Sequence, residues 1–189
     1  MDAVTATAQM TAEEFLAIPE DPNGRRRQLI DGELVMNEPS WTHGDSQLTI
    51  AAALRRWSRE AAGRGQAGLP LDVQMDDRNV YAPDVVWYRE GRAPERGDVA
   101  PYAIPDLAVE IRSPTTWRFD IGRKKTGYEH HGVAELWLVD TCADVVLVFR
   151  RSRRNAPSFD VSLELTATDV LTSPLLPGFS LSVGEIFAA

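Results

Sequence analysis

The spacing of apolar residues along the chain predicts three helices. Thr11 and Glu14 have the spacing of a capping box, so a short helix is expected to begin at Thr11. Between residues 44 and about 62, apolar positions recur as they do on the buried face of an amphipathic helix. The segment from about 119 to 131 predicts a second long helix, which Gly132 closes as its C-cap.

Shorter apolar segments predict the strands. The segments RRQLI and ELVMNEP flank Asp31-Gly32, a dipeptide typical of a tight hairpin turn. Further strands are expected at about 68–75, 80–88 and 105–112, followed by a hairpin of AELWLVD with DVVLVFRR and a strand at 157–165. The apolar segment LLPGFSLSVGEIFAA is expected to pack back on the core. This order predicts an α/β domain, of the α+β type, with a mixed sheet flanked by helices.

Length and composition are those of an ordinary globular domain. The 189 residues, 43% hydrophobic and 25% charged, fit one domain, which we place at residues 11–189 behind a flexible arm of residues 1–10. No apolar segment approaches the roughly 18 residues of a membrane span, and no secretory signal pattern opens the chain. The one cysteine, Cys142, cannot form an internal disulfide. These features favour a cytoplasmic protein with no membrane partner.

The charge distribution bears on binding to nucleic acid. The net charge of −8 disfavours non-specific binding to phosphates. The basic residues nevertheless cluster in local patches, at 25–27, 55–59, 118–125 and 150–154. Any single patch is also compatible with a simple solvated surface.

Three acidic residues stand inside or at the ends of apolar strands, namely Glu33, Asp84 and Glu110. A buried carboxylate is costly unless it is paired or binds a metal. Pro83 cannot donate a hydrogen bond, so the strand is expected to bend or lose pairing just before Asp84. If its strand neighbours that of Glu110, the two acids converge at one edge. Mg²⁺, with Mn²⁺ as an alternative, is the natural ion for such oxygen ligands, although each acid could instead pair with an arginine or face water.

The two lysines of the chain, Lys124 and Lys125, both lie in the second predicted long helix. Asp120, Lys124 and Tyr128 are spaced by four residues and therefore share one helix face. An ammonium is a compact charge that can hold a water or a phosphate oxygen beside a metal. An exposed ion pair between Asp120 and Lys124, or a capping role for Asp120, would explain the same spacing without chemistry.

At these residues the sequence resembles the PD-(D/E)XK nuclease superfamily and, more narrowly, its Uma-type restriction-endonuclease family. The resemblance covers residues 11–187, and its matching segments, in chain order, are LIDGELV, a histidine opening the next helix, APDVVW, PDLAVEIRSP, the spaced D, K and Y of the helix, GVAELWLVD and LPGFSLSVGEIF. It implies a restriction-endonuclease-like mixed sheet with an extra N-terminal hairpin and C-terminal strands. It also implies a Mg²⁺-dependent endonuclease that cleaves DNA, and a homodimer.

Carried over by position, the resemblance implies Asp84 and Glu110 as metal ligands and catalytic residues, with Glu33 as a further acidic ligand. In the superfamily a lysine follows the second acid by two residues, but here Arg112 occupies that position. Lys124 is expected to take its catalytic role. Many relatives carry an acidic residue in the first hairpin where this chain has Gln28.

Other residues receive supporting roles by the same resemblance. The residues expected to position Lys124 are Asp120 and Tyr128. The candidates for contacts to the DNA backbone are Arg112, Arg118 and Arg123. His43 either supports the cleft as a phosphate contact or is a surface or capping residue. His130 and His131, at the end of their helix, suit its dipole and need no chemistry.

Two further interpretations stay open. The chain could be a catalytically degenerate nuclease fold that serves as a binding or assembly module, because Arg112 and the acidic surface depart from an active nuclease. It could also be a structural homodimer that associates through the apolar C-terminal segment and exposed tryptophans.

Overall fold

The fold is described by a computed structural model of residues 9–19, 21–22 and 24–188. Most of the predicted flexible arm, residues 1–8, lies outside the described residues. Met10, at the end of that predicted arm, is held by the first hairpin, because its N–H donates to the carbonyl of Gly32 at 3.1 Å. Its side chain packs beside a small core cluster.

The described residues alternate short strands with helices, in the general order that the sequence predicts. The helical elements are α1 (Ala12–Leu16), α2 (Trp41–Arg59), α3 (Trp117–Phe119), a π-helical segment (Asp120–Lys124), α4 (Lys125–His130) and α5 (Val183–Phe187). The strands are β1 (Arg27–Ile30), β2 (Glu33–Met36), β3 (Gln66–Gly68), β4 (Val73–Asp76), β5 (Asn79–Tyr81), β6 (Val85–Tyr88), β7 (Leu107–Ile111), β8 (Glu135–Asp140), β9 (Val145–Arg150), β10 (Val161–Thr166), β11 (Val170–Leu171) and β12 (Leu181–Ser182). Among the described residues, no helix combines the length and apolarity needed to cross a membrane.

A four-stranded sheet in the order β2-β1-β5-β4 contains the predicted N-terminal hairpin. Its turn residues, Asp31 and Gly32, both have positive φ, at 51° and 75°. A Cβ at Gly32 would lie 2.6 Å from the Cβ of Gln9, so this position requires glycine. The Asp-Gly turn therefore sets the register, with Ile30 opposite Glu33 and Arg27 opposite Met36.

A six-stranded sheet in the order β10-β9-β8-β7-β6-β3 forms the centre of the molecule. β7 and β8 are parallel and the other neighbours are antiparallel, so the sheet is mixed, as predicted. Parallel neighbours need a crossover connection, which here consists of α3, the π segment and α4. Phe119 and Tyr128 of this crossover pack with Ala108, Leu136 and Leu138 on one face of the sheet.

The opposite face of the six-stranded sheet is covered by α2 and the C-terminal segment. Ile50, Leu54 and Trp57 of α2 pack with Val109 and Trp137. The C-terminal residues in the same cluster are Leu176, Phe179, Leu181, Val183 and Ile186. This packing confirms the predicted return of the segment to the core. These five apolar side chains therefore already have packing partners in this chain, whereas Leu175 and Phe187 of the same segment are only partly buried.

Several predicted elements differ in their bounds. The strand predicted at 80–88 is two strands in two sheets, because the chain leaves the four-stranded sheet after Tyr81 and enters the six-stranded sheet at Val85. The strand predicted at 68–75 is divided in the same way between β3 and β4. The first long helix begins at Trp41, since Ser40 caps it by accepting from the N–H of His43 at 3.2 Å.

Candidate active site

Asp84 lies where the chain passes from one sheet to the other. It follows Pro83 and precedes β6, whose first residue, Val85, is paired with Val109 of β7. Its Oδ2 accepts a hydrogen bond from the N–H of Ile111 at 2.7 Å, and its side chain is buried. The antiparallel register therefore places Asp84 beside Glu110 at one end of β6 and β7, as the sequence predicts for neighbouring strands.

Helix α2 holds Asp84 from the other side. His43 Nε2 lies 3.2 Å from Asp84 Oδ1, and Gln47 Nε2 donates to the Asp84 carbonyl at 2.8 Å. His43 is 2% exposed, so the interpretation of His43 as a surface residue is wrong. Ser40, and not His43, caps the helix. The spacing of His43 and Gln47, one helical turn apart, is the signal that sequence analysis could have used.

Glu110 points from β7 toward the crossover. Alternation along β7 puts Val109 and Ile111 in the core cluster with α2, and Glu110 on the face that the crossover covers. Its Oε1 lies 2.7 Å from Lys124 Nζ and also accepts a hydrogen bond from the Tyr128 hydroxyl. Glu110 is only 2% exposed.

The π-helical segment brings Asp120 and Lys124 to the same carboxylate. The N–H of Lys125 donates to the carbonyl of Asp120, five residues earlier, which defines a π turn. Lys124 is fully buried, and its Nζ lies 3.0 Å from Asp120 Oδ1. Asp120 Oδ2 accepts from Thr116 Oγ1 at 3.1 Å. The spacing of four residues predicts the shared face, but neither the π turn nor the contact with Thr116.

Burial and charge perturb the acids of this cluster. The pKa of Glu110 is raised to about 8. Burial is the largest cause, the Lys124 ammonium opposes it, and the negative charges of Asp120 and Asp84 add to it. Burial also raises the pKa of Asp120, against the effect of Lys124. Burial alone would lower the pKa of Lys124, but Asp120 and Glu110 outweigh it and raise that pKa. The cluster therefore contains three carboxylates and one ammonium, and its net charge is negative when all of them are ionised.

Buried polar atoms without a hydrogen-bond partner are concentrated in this cluster. Among the described residues, four of six such atoms are here: both ring nitrogens of His43, Asp120 Oδ1 and Lys124 Nζ. Lys124 Nζ lies within ion-pair distance of two carboxylates and His43 Nε2 within ion-pair distance of one, but their angles are poor for hydrogen bonds. Buried polar groups are normally satisfied, so the cluster has the capacity to bind a further polar partner.

The donor set fits a hard divalent cation. Three carboxylates against one ammonium leave two uncompensated negative charges when all are ionised, and the anionic donors are the carboxylate oxygens of Asp84 and Glu110, with the nitrogens of His43 and Lys124 beside them. Mg²⁺ takes one or two carboxylates and completes its shell with water and phosphate oxygens. Within the described residues, no three His, Cys, Asp or Glu side chains form a ready-made metal cage. The fit is therefore to an open site based on two carboxylates.

Glu33 lies outside this cluster. It is exposed on β2, directly after the turn, and its Oε2 lies 3.4 Å from Arg123 Nη1. Gln28 of the same hairpin is buried on β1 and accepts from the N–H of Ala82, two residues before Asp84, at 3.0 Å. The hairpin register explains this correction, because Glu33 pairs with Ile30 at the turn end of β1, away from Gln28.

Arg112 does not enter the site. Its Nη1 lies 2.9 Å from both carboxylate oxygens of Asp140 on β8, and its guanidinium stacks over the Trp117 ring. The position two residues after Glu110 thus has a structural partner of its own. The ammonium beside Glu110 belongs to Lys124, so Arg112 no longer favours a degenerate nuclease.

The other two arginines predicted to contact the DNA backbone differ in whether they are already paired within the protein. Arg123 lies 3.5 Å from an Asp31 carboxylate oxygen as well as beside Glu33, so it ties the π segment to the first hairpin. Arg118 is exposed and lies over the Phe119 ring, and within the described residues it has no ion pair.

Arg26, in the basic segment 25–27 that the sequence predicts only as a charged patch, precedes the end of β1 that meets the chain leading to Asp84. β1 runs antiparallel to β5, so the N-terminal end of β1 and the C-terminal end of β5 meet, as the contact of Gln28 with Ala82 shows. Arg26 is exposed just before β1, and its carbonyl accepts from the N–H of Asn37 at 3.0 Å. Alternation puts Arg26 on the same face as Gln28.

This architecture is shared with a known protein family and with a solved structure. The family model for Uma2, described as "Putative restriction endonuclease", matches residues 12–184. A crystal structure of a putative nuclease from Anabaena variabilis is similar with a TM-score of 0.77, at 20% sequence identity, over 95% of this chain and 98% of that chain. No curated protein matches the chain. The shared architecture confirms the predicted fold class, and the family match over most of its length shows that this chain belongs to the Uma2 family.

Proposed function

We propose that this chain is a Mg²⁺-dependent endonuclease that hydrolyses phosphodiester bonds in DNA. Its family supports the nuclease class. The observation that carries the proposal is the buried meeting of Asp84, Glu110 and Lys124 at the junction of two sheets. Such a group of acids with one ammonium is costly to build for stability alone, since each buried charge must be desolvated.

Asp84 and Glu110 are the residues that would hold Mg²⁺, with Mn²⁺ as an alternative. When bound, the ion would supply a Lewis acid that polarises the scissile phosphate and lowers the pKa of a water. The carboxylates are fixed in advance. The N–H of Ile111 donates to the Asp84 carboxylate, and His43 lies beside it, while Gln47 holds the Asp84 backbone carbonyl. The Tyr128 hydroxyl donates to Glu110. Burial and the charge of Glu110 raise the pKa of Tyr128, which keeps it a neutral donor.

Lys124 acts through its charge. Because its pKa is raised, Nζ stays protonated near neutral pH and cannot serve as a general base. Its ammonium can donate to the attacking water and to a non-bridging phosphate oxygen, where negative charge develops as the water oxygen bonds to phosphorus and the ester bond breaks. Asp120 holds the ammonium in place and is itself held by Thr116.

We extend the proposal to the contacts with DNA and to the assembly. Arg118 and the exposed Arg26 are the guanidinium groups that we expect to contact the DNA backbone beside the site. We also propose that the chain acts as a homodimer in the cytoplasm, since two copies of one site can cleave both strands of a duplex.

Cleavage assays with matched variants test the proposal. Single-stranded and double-stranded DNA would be incubated with the protein and Mg²⁺ or Mn²⁺. Asp84→Asn, Glu110→Gln and Lys124→Met are each expected to lower the rate by about 100-fold or more. Glu33→Gln is the matched control, because Glu33 is exposed and lies outside the cluster; its rate should remain within about threefold of wild type.

Calorimetry of metal binding separates the roles of the residues. Asp84→Asn should lose Mn²⁺ binding, whereas Lys124→Met should retain it while losing cleavage, because the ammonium is not a ligand. Circular dichroism would confirm that each variant is folded. If the wild type cleaves no DNA with either ion and Asp84→Asn leaves metal binding unchanged, the proposal is wrong.

A further inference from the structure

Within the described residues, the outer face of α2 is mostly exposed, apolar at one end and basic at the other. At about 100° per residue, its members all lie within about 40° of one line along the helix. They are Trp41, Asp45, Leu48, Ala52, Arg55 and Arg59. The buried residues of α2 are on the opposite side, where they pack against the six-stranded sheet.

The apolar end of this face is unusually exposed. Trp41 is 85% exposed and Leu48 is 68% exposed, although both are large apolar side chains on a well-formed helix. Large apolar side chains that line up on a surface mark an interaction site more often than isolated ones do. Trp41 and Leu48 are two helical turns apart on this line, so one partner element can cover both.

Gly44 lies between Trp41 and Leu48 and gives a second, independent indication. Glycine is a poor residue in a helix, yet a Cβ at Gly44 would meet nothing within 4 Å in this chain. The chain's own packing therefore does not require glycine here. A glycine followed by Leu48 and Ala52 at intervals of four forms a ridge that lets a second helix approach closely.

The charges on this face are complementary to those on the same face of a second, antiparallel copy. Asp45 stands near the N-terminal end, and Arg55 and Arg59 stand near the C-terminal end. Within the described residues none of the three has an ion pair in its own chain. When two such helices are placed antiparallel, the acid of each comes near the arginines of the other.

We infer that the outer face of α2 binds the same face of a second copy of this chain, with the two helices antiparallel about a two-fold axis near Leu48. In this arrangement Gly44 lies opposite Ala52 of the second copy. Asp45 approaches Arg55 of the second copy, and Trp41 lies over the arginines, where a cation–π contact can form. The interface is isologous and closes on itself. It rests on the homodimer of the proposed function and names its interface, but it does not depend on hydrolysis.

Sedimentation velocity tests the inference directly. The wild type would be followed from about 1 µM to about 100 µM, the range in which modest interfaces dissociate. We expect a monomer–dimer equilibrium that Leu48→Arg shifts by about tenfold or more toward monomer. Leu69→Arg is the matched control, because Leu69 is similarly exposed, at 58%, but lies outside α2; it should leave the equilibrium unchanged.

A charge exchange identifies the pairing. Asp45→Arg and Arg55→Asp should each weaken the dimer by about tenfold, while the double variant should recover to within about threefold of wild type, because opposite charges again face each other. Gly44→Ala should raise the thermal midpoint of the dilute monomer and yet weaken the dimer. These opposite signs cannot come from a folding defect.

Three results would overturn the inference. The wild type could remain a monomer through the whole concentration range, or a dimer could form that Leu48→Arg does not weaken. Alternatively, Arg55→Asp and Arg59→Asp could reduce DNA binding while leaving the molecular mass unchanged, which would assign the face to nucleic acid.

Discussion

At the scale of single residues, the buried site explains why position 124 is a lysine. Apart from its neighbour Lys125, every other cationic side chain of the Lys/Arg type in this chain is an arginine. Lys124 Nζ fits between Glu110 Oε1 and Asp120 Oδ1 in a space without solvent access. A guanidinium has five N–H donors in a rigid plane, and each would need an acceptor when buried. The compact ammonium has only three, and it lies within ion-pair distance of two carboxylates. Lysine is therefore the basic residue that this site can accommodate.

Loss of the ammonium should destabilise the fold in a pH-dependent way. Lys124→Met leaves the buried carboxylates without their cation, so the free energy of unfolding should fall by about 3 kcal/mol at pH 8. The loss should be smaller near pH 5.5, where the folded variant can take up protons on these acids. Urea unfolding at both pH values measures this. Lys125→Met is the control, because Lys125 lies over the Phe149 ring and, among the described residues, has no ion pair; its effect should be about 1 kcal/mol or less.

The raised pKa of Glu110 predicts how stability changes with pH in metal-free protein. The ordinary value of 4.5 applies to the unfolded chain, and the folded value is about 8. Between these values the folded state binds more protons than the unfolded state, so stability falls as pH rises. Glu110→Gln should make this decline shallower, and added Mg²⁺ should do the same by favouring the ionised carboxylate.

Urea unfolding in the presence of a chelator, at intervals from pH 4.5 to pH 8.5, would show this decline. Glu33→Gln is the control, since its carboxylate is exposed and lies beside the exposed guanidinium of Arg123. An equal slope for wild type and Glu110→Gln would mean that Glu110 is already ionised in the folded protein, and the electrostatic account of the site would fail.

At the scale of elements, sequence periodicity finds which residues share a face but misses irregular backbone. The spacing of Asp120, Lys124 and Tyr128 is enough to predict that they meet. It gives no sign of the π turn at Asp120–Lys124, because a π turn is decided by tertiary packing and not by a sequence period. In the same way, Pro83 signals a break before Asp84, but not that the two halves belong to different sheets.

The error over Glu33 has a comparable cause. An acidic residue directly after a hairpin turn is easily noticed, and Glu33 fits the resemblance in type. Which hairpin residue contacts the segment leading to Asp84 depends on the pairing of β1 with β5, a contact between segments about fifty residues apart in the chain. Only that pairing brings Gln28 to Ala82. Local patterns carry no information about such long-range register.

The packing of α4 against β5 makes a testable demand on one glycine. A Cβ on Gly127 would overlap the hydroxyl of the buried Tyr81 ring, whose edge also lies near Tyr128. Gly127→Ala should therefore lower the free energy of unfolding by about 1–2 kcal/mol, even though alanine favours helix. Adding Tyr81→Phe removes the hydroxyl and should restore most of the loss.

A double-mutant cycle by urea unfolding measures this coupling. Gly122→Ala is the matched control, because a Cβ at Gly122 would meet nothing within 4 Å; it should be neutral or slightly stabilising. If Gly127→Ala and Gly122→Ala behave alike, α4 does not pack on Tyr81 as closely as described.

At the scale of the whole molecule, the acidic cluster lies at one end of the central sheet, and the basic patches are divided between its two ends. Glu110 is near the C-terminal end of β7, whereas Arg150 is paired with Glu135, which is paired in turn with Leu107 at the other end. Residues 150–154 are therefore far from the site. Arg26 lies at the end that contains Asp84. A net charge of −8 thus coexists with a local basic edge beside the proposed centre.

This division predicts which arginines matter for DNA. A phosphate contact that is lost weakens binding at all sequences and reduces the salt dependence. Arg26→Glu should lower the affinity for a short DNA duplex by about tenfold at low salt and reduce the slope of log affinity against log salt by about one. Arg154→Glu makes the same charge change at the opposite end of the sheet, so both quantities should stay near the wild-type values. Fluorescence anisotropy at several salt concentrations, with Ca²⁺ in place of Mg²⁺ to prevent cleavage, would measure them. Equal effects of the two variants would show that binding depends on total charge, and the edge beside Asp84 would then have no special part in holding DNA.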